Sequence, residues 1–225
     1  MARPTKRGRE LTKSMILHSA SKLFLLRGYE ETRIKDIADN AGISYNEVFR
    51  ICIDKENILC ELVGLVLERQ FEVSKEILKE KTDDKILFYA FETVLQLNMA
   101  EAIEHIREMY LVSYSLQNSS RVIYKTITSK LEEVFKDHLP QLETKDFYEL
   151  EIASAGIMRG FLSVPCDIYF TMDRKVKRFL ETTFKVYDVD DDKINEAIEF
   201  VKQFDFKEIA LNVIDSLYKY LKERT

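Results

Sequence analysis

Very little interrupts this chain. Six glycines and three prolines serve 225 residues, and no Asn-Gly, Asp-Gly or Gly-Gly pair separates alternating segments as a tight hairpin would require. The apolar residues recur at helical spacing instead: Ile16, Ala20, Leu23 and Phe24 fall at i, i+4, i+7 and i+8. The chain is therefore expected to be all-α.

Local signals divide the first quarter. A helix is expected over about 12–27, closed by Gly28. Thr32 can cap a second helix marked by Ile34, Ile37, Ala38 and Ala41, and Gly42 supplies a tight turn after it. Ser44 and Glu47 form S-x-x-E, the capping box that opens a third short helix. Two short helices meeting at a glycine turn make a helix-turn-helix. A longer helix opens near Asp54 and runs to about Lys81, with Ile58, Leu59, Leu62, Val63 and Val66 on its apolar face. Further helices are expected at about 84–117 with a break near Asn98, then 120–138, 145–164, 173–186, 191–203 and 206–222.

Charge separates the same two regions. The chain carries −5 overall, yet residues 1–55 hold eleven Lys/Arg against seven Asp/Glu, and the remainder 23 against 32. A basic end on an acidic protein faces a polyanion. The N-terminal basic stretch has no apolar run after it, so it is not read as a signal peptide, and no segment has the roughly 20 apolar residues that a bilayer requires. A cytoplasmic location without membrane association is expected. Cys52, Cys60 and Cys166 match no zinc or redox spacing and read as buried thiols, and His18, His105 and His138 stand too far apart for a metal site; no cofactor is expected.

Ile16-Leu17, Ala20, Leu23-Phe24, Gly28-Tyr29, Thr32, Ile37-Ala38, Ala41-Gly42, Ser44 and Lys55-Glu56 together resemble the TetR-type transcriptional regulators over about residues 12–60. The resemblance implies a three-helix DNA-binding domain joined by a long fourth helix to an all-helical domain that dimerises and holds a small-molecule effector. The expected division is a flexible basic arm (1–10), a helix-turn-helix domain (11–55) and a helical effector and dimerisation domain (56–225). Asn46-Glu47, Phe49 and Ile51-Cys52 depart from the family's usual small pair, tyrosine and histidine-phenylalanine. These changes bear on operator choice, and Ile51 and Ile53 are expected to fill space left by the small Cys52.

A reading helix enters the major groove by its N-terminal residues, which assigns base contacts to Tyr45, Asn46 and Arg50: Asn46 to adenine, Arg50 to guanine, with phosphate contact the other reading for Tyr45 and Arg50. Phosphate and groove contacts fall to Thr32, Arg33, Lys35, Ser44, Phe49 and Lys55, with Arg7 and Arg9 of the arm reaching the minor groove or serving only to solubilise. Glu47 either caps its helix or accepts from a cytosine amine.

In the second domain, Phe71, Tyr89, Met109, Tyr110 and Tyr114 are pocket candidates, as are Met158 and Phe161. Gln96, His105 and Arg159 supply polar handles, and the aromatic supply suits an apolar effector. Dimerisation is expected through the final apolar stripe or through "ASAGIMRGF", whose Ala153, Gly156 and Gly160 leave a bare helix face. The expected function is a ligand-responsive repressor acting as a homodimer on a palindromic site in double-stranded DNA, and no enzyme. Two other classes stay open: a helix-turn-helix protein–protein module, and a metal-dependent enzyme using the acidic run Asp190, Asp191 and Asp192.

Overall fold

The computed structural model describes residues 6–223, with side chains from residue 8 onward. Among these residues there are eleven helices and no strand. α1 (Lys6–Arg27), α2 (Ile34–Ala41) and α3 (Tyr45–Cys52) form the head, and α4 (Lys55–Leu78) leads out of it. The second domain follows with α5 (Lys85–Ala102), α6 (Glu104–Ser115), α7 (Gln117–Phe135), α8 (Thr144–Leu162), α9 (Met172–Val186), α10 (Asp191–Val201) and α11 (Phe206–Glu223). None of the described helices is long and apolar enough to cross a membrane.

The expected elements are present, with instructive shifts. α1 starts at Lys6, so the stretch expected as flexible up to residue 10 is helical from its sixth residue, while residues 1–5 of the expected arm lie outside the described residues. The break expected near Asn98 falls at Ile103, whose backbone is extended at φ −141°. Asn98 stays helical because its side-chain amide donates to the Val94 carbonyl at 2.8 Å, a back-bond that keeps the turn closed.

Two cores meet along α4. The larger one is built on α5, which is buried over most of its circumference. The head's small core joins Ile16, Ala20, Phe24, Ile37 and Val48 to Ile58, Leu59 and Leu62 of α4, and also takes Leu221 from α11. The head's packing therefore extends two turns past residue 55. The α11 stripe, expected as an interface, is consumed internally: Ala210 and Val213 pack into the main core and Leu221 into the head. Of the three thiols expected to be buried, only Cys52 is; Cys60 and Cys166 are partly exposed.

Candidate nucleic-acid interface and core cavities

Gly42 ends α2 at φ 67°, in the left-handed region that a side chain resists, and its N–H turns back to the α2 carbonyls. Ser44 then caps α3, its Oγ accepting from the Glu47 N–H at 3.3 Å. The reciprocal half of the capping box is missing, because the Glu47 carboxylate accepts from Arg50 Nη2 at 3.2 Å instead. Glu47 therefore holds the guanidinium of a candidate base reader. Both side chains are exposed, so the pair contributes at most about 1 kcal/mol and DNA can displace it.

Tyr45, Asn46, Phe49 and Arg50 stand exposed on the outer face of α3, with the Tyr45 and Phe49 rings stacked at 6.4 Å. Val48 and Cys52 face inward. Arg33, Lys35, Ser44 and Arg9 are exposed on the same end of the molecule's sequence, while the Arg7 side chain lies outside the described ones.

Two expected phosphate contacts are internal struts. Thr32 is fully buried, and its Oγ1 donates to the Gly28 carbonyl at 2.7 Å, so it neither caps α2 nor reaches solvent; Arg33 takes the cap position, its N–H bonded to Asp36 at 3.0 Å. Lys55 lies over the Tyr29 ring at 4.1 Å and donates to the carbonyls of Tyr29 at 2.9 Å and Thr32 at 3.1 Å. Its ammonium is occupied with carbonyls of the α1–α2 turn, leaving little of it for DNA.

Ile53, expected to fill the small core, is exposed, and it joins α3 to α4 at φ 60°, ψ −60°. Its neighbours close a three-residue turn, Asp54 N–H to Cys52 C=O at 2.6 Å. A β-branched residue in that geometry stores about 1–3 kcal/mol of strain. Ile53→Gly is expected to raise stability by about 1 kcal/mol in urea melts; a loss would show that the Ile53 side chain contributes packing the geometry does not reveal.

Two cavities lie behind the head. One, of about 80 Å³, sits where the cores meet and is almost wholly apolar, with Leu25, Leu59, Leu62, Met109, Leu217 and Leu221 in its wall. The other lies inside the second domain between α4, α5, α7 and α8. It gathers five expected pocket residues, Phe71, Tyr89, Gln96, Tyr114 and Met158, while Met109 and Tyr110 border the first cavity. Three candidates border neither. His105 pairs with Glu108 at 3.3 Å, Arg159 is exposed, and Phe161 packs edge-on against Phe179.

The inner cavity also holds two carboxylates that sequence reasoning missed, Glu92 of α5 and Glu151 of α8, 5% and 3% exposed. Glu92 accepts only from Gln70 Nε2 at 3.3 Å, and Glu151 from Ser154 Oγ at 3.0 Å. Burial raises the Glu92 carboxyl from an ordinary 4.5 to about 7. Burial raises Glu151 to about 8; the Ser154 hydrogen bond opposes that shift and the charge of Glu92 adds to it. The one available signal was their position: each sits where the apolar periodicity of its helix calls for a hydrophobic residue.

Elsewhere, the acidic run has ordinary roles, Asp190 capping α10 through the Lys193 N–H at 2.8 Å and Asp191 pairing with Lys185 at 2.7 Å. Among the described residues no group of three His, Cys, Asp or Glu is placed to hold a metal ion.

Residues 16–62 match the profile of the bacterial regulatory proteins of the tetR family. No curated protein sequence matches the chain. Among solved structures, RolR in complex with the ligand resorcinol is similar in fold: TM-score 0.65 at 16% identity, over 86% of this chain and 94% of that one. The matched head, with α3 presented outward at one end of an all-helical protein, is a DNA-binding domain of the tetR type, the kind carried by bacterial transcriptional regulators.

Proposed function

We propose that this regulator is a ligand-responsive repressor that binds a palindromic operator as a homodimer and lets go when a small molecule fills the inner cavity. The observation that carries the DNA half is the exposed α3 face, where Asn46 and Arg50 offer the two side-chain types that read adenine and guanine edges bidentately. Residues 11–55 form the reading unit and 56–225 the sensing and pairing unit, sharing the first turns of α4.

Two carboxylates supply the mechanical link. Glu56 on α4 accepts from the Asn118 N–H at 2.8 Å and the Ser119 N–H at 3.3 Å, holding the start of α7 against the head. Glu108 on α6 accepts from the Glu30 N–H at 2.9 Å, and its Oε2 occupies the space that a side chain on Gly28 would need. α6 also carries Tyr110, which donates to Gln70 Oε1 at 2.7 Å, and Gln70 in turn donates to Glu92. A ligand that displaces Glu92 thus pulls on the helix that grips the α1–α2 turn. The differential affinity of the ligand for the two head positions sets the loss in DNA binding, typically 1–3 kcal/mol.

Pairing would use the exposed face of α8. Ile152, Ala153, Gly156 and Gly160 all face outward, and nothing lies within 4 Å of where a side chain on either glycine would sit. The exposed Ile168 and Tyr169 in the following segment extend the apolar area.

Selection from a random DNA pool tests this reading. An enriched palindrome is expected, bound with steep salt dependence from counterion release. Asn46→Ala with Arg50→Ala is expected to cost about 1–3 kcal/mol per lost bidentate contact and to flatten the preference at those base pairs. No enrichment would return the head to the class of protein–protein modules.

A further inference from the structure

The inner cavity brings two buried carboxyl groups together with no cation bonded to either. Glu92 and Glu151 reach into it from facing helices, and among the described residues neither has an ion-pair partner: Glu92 is acted on by burial and bonded by Gln70, while Glu151 is acted on by burial, by Ser154 and by the charge of Glu92. A buried carboxylate without a counter-ion is costly, and two together more so. The surrounding wall is aromatic, with Phe71 and Phe88 stacked at 6.2 Å beside Tyr89, Tyr114 and Phe179. Carboxylates set among aromatic faces suit a cation, attracted by both, and repel an anion. The free space, about 40 Å³, takes a compact head group. It adjoins an outer recess of about 280 Å³ that shares Phe71, Phe88, Lys130 and Val134 with it.

We propose that the effector is a small organic monocation, an ammonium head seated between Glu92 and Glu151 with its apolar body lying past Phe71 and Phe88 toward the outer recess. This rests on the sensing role given above to the same cavity, and it replaces the purely apolar effector expected from the aromatic composition. Other charged or titratable groups facing the pair are few. The phenols of Tyr89 on α5, Tyr110 and Tyr114 on α6, and Tyr187 after α9 are all pushed up by burial and stay neutral. From α7, Lys130 lies at the mouth over the Phe71 ring at 5.4 Å, paired with Glu133 at 3.6 Å, and Lys75 of α4 meets the same Glu133 at 3.8 Å.

Because burial holds protons on the pair near neutrality, seating an ammonium there requires a carboxyl proton to leave for solvent. Affinity is therefore expected to rise with pH between about 6 and 8, up to tenfold per unit for each proton released.

Calorimetric titration of the full chain, without DNA, tests this with three probes of one shape: 2-phenylethylammonium, neutral 2-phenylethanol and anionic 3-phenylpropionate. The expected result at pH 8 is saturable binding of the ammonium at least tenfold tighter than the alcohol, no binding of the carboxylate, and proton release seen as a dependence of the heat on buffer. Glu92→Gln and Glu151→Gln keep the side-chain shape and remove a buried acid, so they are expected to fold and to lose the preference for the cation. Equal binding of ammonium and alcohol, preference for the carboxylate, no saturable ammonium binding, or a preference that survives both substitutions would overturn the proposal. An ammonium that binds with this pattern yet leaves operator binding unchanged supports the cation site and sinks the regulatory reading instead.

Discussion

Unfolding of the ligand-free chain in urea is expected to become easier as pH rises from about 5 to about 8, while a Glu92→Gln, Glu151→Gln double variant shows a flatter profile. The sign follows from linkage. Both carboxyls bind their protons more tightly folded than unfolded, at about 7 and about 8 against an ordinary 4.5. Between those limits the native state holds more protons than the unfolded one, so stability is fully present below the unfolded value and is lost as pH climbs through the folded ones. The difference between wild type and variant isolates the pair from every other titrating group, and about 2–5 kcal/mol is expected across the range. Parallel profiles for the two proteins would mean that the carboxylates are solvated or paired in solution, which would also remove the basis for a cation site.

Lys175→Ala is expected to destabilise the chain by about 3 kcal/mol, a large effect for one lysine. Most lysines lose only a surface pair, but the Lys175 side chain is 1% exposed, with Nζ 2.6 Å from Glu101 Oε1 and 2.5 Å from the Val164 carbonyl. Glu101 also accepts from the Cys166 N–H at 3.1 Å. One buried ammonium thus fixes the segment between α8 and α9 to the end of α5. Its removal leaves a carboxylate and a carbonyl short of a donor. Hydrogen exchange is expected to accelerate over residues 163–171 in particular, and Lys175→Met with Glu101→Gln is expected to recover part of the loss. A loss under about 1 kcal/mol would place the pair with ordinary surface bridges. Because Ile168 and Tyr169 lie on this segment, the affinity of the proposed dimer is a second readout.

Helix positions were legible because their cause is local. Side chains three and four residues apart share a face whatever the rest of the chain does, so the apolar period located α5, α8 and α9 to within a few residues. The outward face of α3 was legible for the same reason, since burying Val48 and Cys52 turns Tyr45, Asn46, Phe49 and Arg50 out. The roles of Thr32 and Lys55 were not. Both are polar residues beside a reading head, and a sequence cannot tell a cation aimed at phosphate from one aimed at the carbonyls of its own turn.

What the sequence determined by itself is the run of helices, the basic reading head and its glycine turn, all products of spacing over one or two turns. The tertiary structure alone decided which faces meet. It buried the α11 stripe inside the monomer, left the glycine face of α8 bare, and set Glu92 and Glu151 together in one aromatic cavity from positions 59 residues apart. Burial and opposed charge depend on distances in space, which helical periodicity does not encode, so the chemistry of the cavity appears only once the helices are packed.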